Sequence, residues 1–230
     1  MEKVIIIGAG QAGLSTAYYL KRKGIDALIL DANATHGGAW VNAWDSLKLF
    51  SPKEYSSLSG FMMPATKSEY PDRAEVIDYF GKYEQRYQFR IQRPVQVIDV
   101  TNVAGIFHIK TNAGDYQAEH VVSATGNFSG KVIPQFQGLE NFKGIQLHSS
   151  EYKNNTGLEG LNVAIIGSGN SGSQVLAEVS KVANTHWFTN RPLQYLDDDL
   201  DGRYLFDLST KRYYASLNGE VIDDTDDFSK

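Results

Sequence analysis

Two glycine turns, Gly8-Ala9-Gly10-Gln11-Ala12-Gly13 and Gly167-Ser168-Gly169-Asn170-Ser171-Gly172, predict an α/β fold with two Rossmann-like dinucleotide-binding domains. Each turn follows an apolar strand and opens a helix, the context that gives the GxGxxG spacing its meaning. Three alternating segments between the two units add a small antiparallel β meander.

The first unit reads as a strand from Lys3 to Ile7, the turn, and a helix from Gln11 to about Arg22 that Gly24 ends. A second strand from Ala27 to Leu30 runs into Asp31 and completes a βαβ unit. Within the turn, Gly8 permits the bend, Gly10 lets a pyrophosphate approach the backbone, and Gly13 lets the helix pack closely on the strand. The phosphates then meet free N–H groups and the positive end of the helix. A carboxylate at Asp31 accepts hydrogen bonds from both ribose hydroxyls and repels a 2′-phosphate, so this unit suits FAD or NAD and not NADP.

Residues 33–70 are rich in Gly, Ser, Asn, Pro and aromatics without a sustained period, and read as a long functional excursion. Gly37-Gly38 there permits close backbone approach, and Trp40 offers a large flat surface to a flavin ring. Asp72 and Glu75 resemble a capping box ahead of a helix whose face carries Val76, Phe80, Tyr83 and Tyr87. The meander strands are Val95 to Val100, Ile106 to Thr111 and Tyr116 to Ser123, the last two joined by Asn112-Ala113-Gly114-Asp115. Ala124-Thr125-Gly126 follows, and Pro134, Gly138 and Gly144 mark a loop-rich connection.

The second unit has strands from Asn162 to Ile166 and from His186 to Thr189, with a helix to about Val182 between them. After it come Asn190 and Arg191, near the acidic position of the first unit, and no carboxylate until Asp197. A guanidinium pairs a 2′-phosphate in forked geometry, which favours NADPH with NADH tolerated. The acidic runs at 197–199 and 223–227 read as solvated loops or a tail.

Composition narrows the function. With 42% hydrophobic and 21% charged residues over 230, the chain is an ordinary folded one. A net charge of −5 argues against a nucleic-acid partner. The apolar start is interrupted by glycines, which argues against a signal peptide or membrane span and for a cytoplasmic protein. The absence of cysteine excludes a dithiol relay, a disulfide and an iron–sulfur cluster, and the five histidines lack metal-ligand spacing, so no metal is expected. Two dinucleotide sites imply electron traffic between two cofactors, commonly a flavin and a nicotinamide.

With these residues in place, the chain resembles the flavin-containing monooxygenases of flavoprotein class B, particularly their compact bacterial branch that accepts either nicotinamide. The family pattern FxGxxxHxxxY stands as Phe142, Gly144, His148 and Tyr152, between the two glycine turns. Gly37-Gly38-Ala39-Trp40 is similar to the GGxW element and Ala124-Thr125-Gly126 to the ATG hinge. The resemblance implies FAD in residues 1–150 and NAD(P)H in residues 151–230. It places FAD against Gly8, Gly10, Gln11, Ala12, Gly13, Asp31, Gly38, Ala39, Trp40, Leu49, Val97, Ala124, Thr125 and Gly126, and the nicotinamide nucleotide against Gly167, Gly169, Asn170, Ser171, Gly172, Thr189, Asn190 and Arg191.

The resemblance also implies a cycle. NADPH reduces FAD, O2 adds to the reduced ring as a C4a-hydroperoxide, and one oxygen passes to a small-molecule sulfide or amine, or is inserted beside a ketone. Phe50 and His148 are the residues nominated for the chemistry, and the assembly is compatible with a homodimer. Leu49-Phe50-Ser51 departs from the family, many of whose members carry an Asn at the position of Phe50; a phenyl ring donates no hydrogen bond, so the departure bears on intermediate lifetime and coupling. That departure keeps open an NAD(P)H oxidase that transfers no oxygen. The family chain also returns to its FAD domain with a further strand and helix, whereas this sequence stops at Lys230. The expectation is therefore an incomplete second domain in a truncated product, with a non-enzymatic nucleotide-binding fragment as the third reading.

Overall fold

The computed structural model describes residues 1–128, 130–193, 195 and 202–220, so the acidic runs at 197–199 and 223–227 lie outside the described residues. Strand β1 (Glu2–Ile7) carries apolar residues on both faces, and a strand of that kind belongs in the middle of a covered sheet. It sits between β2 (Leu28–Leu30) and β6 (Gly114–Ser123), parallel to both, with Ile6 opposite Ile29 on one side and Val122 on the other. The six-stranded sheet runs β3-β2-β1-β6-β5-β4, where β3 is Arg90–Gln92, β4 Val97–Val103 and β5 Ile106–Thr111.

The meander β4-β5-β6 is antiparallel, as its turn chemistry implied. It is not a separate layer, because its last strand enters the parallel sheet beside β1. Alternation along β1 then divides the core. Val4 and Ile6 pack with Leu14 and Ala17 of α1 (Gln11–Arg22) and with Val76, Tyr79, Phe80 and Tyr83 of α3 (Arg73–Tyr87), while Ile5 packs with Leu28, Leu30, Val95, Ile109 and Ala118 on the other face.

Helix α3 begins at the expected capping box: the Asp72 carboxylate accepts from the Glu75 N–H at 2.9 Å, and the Glu75 carboxylate accepts from the Asp72 N–H at 2.9 Å. Tyr79 joins the expected buried face, because its hydroxyl has work to do there. It accepts from the Leu58 N–H at 2.7 Å and donates to the Phe61 carbonyl at 2.6 Å, and Tyr83 donates to the Ser59 carbonyl at 2.7 Å. Burial raises the pKa of both phenols, so they remain donors. The excursion at 33–70 holds only a 3-10 turn (Gly38–Asn42) and the short helix α2 (Lys53–Ser56), and these bonds tie it to α3.

In the second unit, β7 (Asn162–Ile166) pairs in parallel with β8 (Asn184–Phe188), with α4 (Asn170–Val179) between them. The helix stops short of Val182 and the strand starts before His186 and leaves out Thr189, because the Val182 and Ala183 N–H groups both turn back onto the Val179 carbonyl and the chain reverses early. Outside the excursion, β3 and α5 lacked a sequence signal. Strand β3 is three residues long, too short to show a period. Helix α5 (Gly202–Asn218) leaves Phe206, Tyr213, Tyr214 and Leu217 exposed, so its apolar residues do not form one stripe. Among the described residues no helix is long and apolar enough to cross a membrane.

The cap gives a test. The Glu75 N–H, the first of several causes, lowers the Asp72 pKa, so the cap contributes stability above the unfolded aspartate pKa of about 4 and loses it as pH falls through the lower folded value. Asp72→Ala is expected to cost about 1 kcal/mol at pH 7, read by thermal denaturation, with the gap to the parent protein closing at acid pH.

Candidate dinucleotide sites

The first glycine turn is built by backbone approaching backbone. Gly8 has φ +102°, and its N–H donates to the Leu30 carbonyl at 2.8 Å, which pins the turn to β2. A Cβ on Gly8 would run into the Ala124 carbonyl, and one on Gly13 into the Gly8 carbonyl. Ala124 is itself held by its N–H donating to the Ile7 carbonyl at 2.9 Å, while Thr125 and Gly126 (φ +67°) lie exposed beyond the strand end. Gly38 has φ +55°, and a Cβ there would stand 2.7 Å from Gly10 Cα. Gly10, by contrast, has no neighbour to meet inside 3.9 Å, and it caps α1 without any side-chain bond. The N-terminal N–H groups of α1, beside exposed Gln11 and Ala12, are thus left open to an anion.

Asp31 lies at the end of β2, 4% exposed. Its Oδ2 accepts from Arg93 Nε at 2.7 Å, and the two other Arg93 nitrogens donate to the Glu84 carboxylate at 2.7 Å each. Burial opposes the Arg93 charge, yet the bonds it donates to Glu84 and Asp31 outweigh that and raise its pKa. Asn33 reaches Asp31 Oδ1 only at 3.4 Å and donates to the Gly38 carbonyl at 3.2 Å. Arg73 donates to the carbonyls of Trp40 and Val41 at 2.9 and 2.8 Å, so α3 fixes the 3-10 turn that carries Gly38, exposed Ala39 and half-buried Trp40. Leu49 is half-buried against the core, with its N–H on the Pro71 carbonyl at 2.9 Å. Val97 is half-buried too, but it packs on the far face of the sheet among Ile5 and Val95. Sequence reasoning missed Arg93, Glu84, Asn33 and Arg73, none of which belongs to a motif; Arg93 and Arg73 act on partners 62 and 33 residues away, while Asn33 reaches Gly38 five residues on.

The second turn repeats the device. Gly167 has φ +124° and donates to the Phe188 carbonyl at 2.9 Å, a Cβ on Gly172 would stand 2.7 Å from the Gly167 carbonyl, and Gly169 faces open space. Trp187 Nε1 donates to the Gly167 carbonyl at 2.8 Å, and Ser168 donates to the Asn190 amide oxygen at 3.3 Å. Asn170, Ser171, Thr189, Asn190 and Arg191 are exposed, and Arg191 has no ion-pair partner among the described residues.

Within the FxGxxxHxxxY pattern, Phe142 and Gly144 stay together while His148 and Tyr152 take different surroundings. Phe142 folds its ring over Gly144. The His148 N–H donates to Glu151 at 3.0 Å and its Nδ1 accepts from the Ser150 N–H at 3.2 Å, so His148 is bonded within its own loop. Lys131 first, then the His148 N–H, lowers the Glu151 pKa. Tyr152 goes inward, into a cluster with Trp44 of the excursion and Ile165 and Val179 of the second unit. Its hydroxyl faces the Glu178 carboxylate, which is taken by Ser46 at 2.6 Å, without completing a well-formed hydrogen bond among the described residues; burial first, then that carboxylate, raises its pKa. Phe50 is 58% exposed, its carbonyl accepting from the Gly202 N–H at 2.9 Å where α5 begins. No cluster of ligating side chains suited to a metal occurs among the described residues.

Two strand, glycine turn and helix units of this construction define the dinucleotide-binding class of α/β protein. Comparison with known proteins refines this. Residues 5–201 match the pyridine nucleotide-disulphide oxidoreductase family. The structure superimposes on a flavin-containing monooxygenase from Stenotrophomonas maltophilia with a TM-score of 0.86 and 44% identity, covering 96% of this chain and 69% of that one. It is 38% identical to an uncharacterized oxidoreductase, CzcO, of Bacillus subtilis over 90% of this chain and 60% of the relative, and 31% identical to a probable indole-3-pyruvate monooxygenase, YUCCA3, of Arabidopsis thaliana over 89% and 50%. The chain belongs to the pyridine nucleotide-disulphide oxidoreductase family and, within it, to the flavin-containing monooxygenases. It spans half to three-fifths of the length of these curated relatives.

Two substitutions separate crowding from openness in the first turn. Gly13→Ala puts a methyl group on a backbone oxygen and is expected to destabilise by about 3 kcal/mol or more, whereas Gly10→Ala, at φ −84° and with room for a methyl, is expected to change stability by less than about 1 kcal/mol in urea titrations. Tyr152→Phe removes a buried hydroxyl that faces a Glu178 carboxylate already taken by Ser46, so stability is expected to change by less than about 1 kcal/mol in thermal denaturation.

Proposed function

We propose that the chain is an FAD-dependent, NAD(P)H-consuming monooxygenase, with residues 1–150 holding the flavin nucleotide and residues 151–230 the nicotinamide nucleotide. The observation that carries the reading is the pair of cradles at Gly10 and Gly169, each open above a helix start while the glycines flanking it are crowded by backbone or tightly turned. A pyrophosphate fits such a place, because it takes the free N–H groups and the space a side chain would fill. Asp31 stands ready for a ribose in the first unit. The membership among flavin-containing monooxygenases supports oxygen transfer over other flavin chemistry.

A bound flavin would supply the two-electron relay and the activation of O2. The protein binds, orients and excludes water. Arg73 and Asn33 hold the Gly38–Asn42 turn against the first cradle, and Trp40 gives that turn an apolar body that keeps water off. In the second unit, exposed Arg191 offers a forked cation to a 2′-phosphate, with Asn190 beside it. The net reaction takes two electrons from NAD(P)H and puts one oxygen atom into substrate and the other into water. Sulfides, amines and ketones are the substrate classes that suit it.

A second reading, an NAD(P)H oxidase that makes hydrogen peroxide, draws on Phe50. This side chain is exposed, carries no hydrogen-bonding group, and has its backbone pinned by Gly202. The ratio of oxygenated product to NADPH consumed distinguishes the two readings.

The central test is the absorption spectrum of the purified chain. Near-stoichiometric FAD that bleaches with anaerobic NADPH is the expected result; a folded protein that takes up no added FAD would sink the proposal. Arg191→Ala is expected to lower kcat/KM for NADPH roughly tenfold or more while leaving NADH within about twofold, as loss of a charge-assisted bond to the 2′-phosphate requires.

A further inference from the structure

Among the described residues the Arg93 side chain bonds to neither glycine turn, yet its neighbours make it more than a buried ion. Its guanidinium spans two carboxylates, Asp31 at 2.7 Å and Glu84 at 2.7 Å, and the three side chains are 15%, 5% and 13% exposed for arginine, Asp31 and Glu84. The backbone repeats the connection. The Asp31 N–H donates to the Gln92 carbonyl at 3.1 Å and the Asp31 carbonyl accepts from the Val95 N–H at 2.8 Å, so Asp31 is stapled to both sides of Arg93. Oδ1 keeps the greater spare capacity, with two long contacts of 3.4 Å from Asn33 in place of the short bond at Oδ2.

We infer that Arg93 is the positioning residue for the ribose-reading carboxylate: anchored on α3 through Glu84, it fixes Asp31 so that Oδ1 faces the adenosine ribose of the flavin nucleotide. The inference rests on the flavin reading above. Its physical basis is the planar fork, which satisfies two carboxylates at once and sets their relative orientation; a lysine ammonium supplies the charge without that geometry. The arrangement leaves the triad with one net negative charge, which suits a diol and disfavours a phosphorylated ribose. A buried carboxylate without the arginine would lose the partner that fixes its orientation.

The test displaces FAD from the full chain with ADP, 2′-deoxy-ADP and 3′-deoxy-ADP, following the recovery of flavin fluorescence so that only the first site is read. In the parent protein, at least one deoxy analogue should compete on the order of tenfold more weakly than ADP, the size expected for losing a hydrogen bond to a charged group. Arg93→Gln should shrink that ratio to about twofold or less, and Arg93→Lys should leave it intermediate. A purely structural role would lower all three affinities together and leave the ratio alone. If Arg93→Gln does not fold or hold flavin, Arg93→Lys decides by the same ratio. Any folded variant that retains the parent ratio overturns the inference, as does a parent protein that binds FAD without discriminating among the three nucleotides. A parent protein that takes up no FAD overturns the flavin reading itself, and the inference with it.

Discussion

Everything in the first unit depends on one small volume where four stretches of backbone touch without side chains between them. Gly13 lies on Gly8, Gly8 on Ala124, and Gly38 on Gly10. This contact brings the end of β1, the start of α1, the end of β6 and the excursion to a single point. Close approach of this sort excludes any Cβ and therefore any residue but glycine at the crowded positions. It also accounts for the order of the sheet, since Ala124 reaches Gly8 only if β6 is hydrogen-bonded beside β1. The second turn has the same internal contact, Gly172 on Gly167, but β7 is paired only with β8 among the described strands, and nothing stands over Gly167 as Ala124 does over Gly8.

Around that point, long polar side chains do what regular structure does elsewhere. The excursion has few backbone ladders of its own, so Arg73, Tyr79 and Tyr83 supply its bonds from outside and Asn33 adds one from within. Arg93 belongs to the same group, with a deeper location and full carboxylate pairing. Buried charges are tolerated only when paired and hydrogen-bonded, and that requirement gives Asp31 a fixed geometry before any ligand arrives.

The seam between the two units has a different chemistry. Trp44 and Leu47 from the excursion meet Tyr152, Ile165 and Val179 in one apolar cluster, and backbone and side-chain bonds at Asp45, Ser46, Lys153 and Asn154 border it. The family pattern ends in this seam at Tyr152, whereas His148 is bonded within its own loop. Helix α5 adds a second tie, because its start lies on Phe50 and Phe206 meets the Tyr55 ring edge-on at 5.2 Å. The excursion is therefore shared between the units rather than owned by the first.

The sequence by itself determined the α/β class, both glycine turns, the capping box of α3 and the antiparallel meander. Each of these is written in local terms: a period of two or 3.6, a glycine where φ is positive, a carboxylate three residues from its partner. It also singled out Asp31, whose place at the end of a strand after a glycine turn is a matter of spacing. Only the tertiary structure decided what holds Asp31, since Arg93 reaches it from 62 residues away while its other nitrogens bind Glu84 of α3, and no spacing rule connects the three. Tertiary pairing likewise decided that the meander is part of the parallel sheet, that Val97 packs on the far face, and that Tyr152 closes the seam between units. A short strand such as β3 and a helix without a clear stripe such as α5 take their form from the surfaces they meet, because segments that short or that weakly patterned carry too little local free energy to specify themselves.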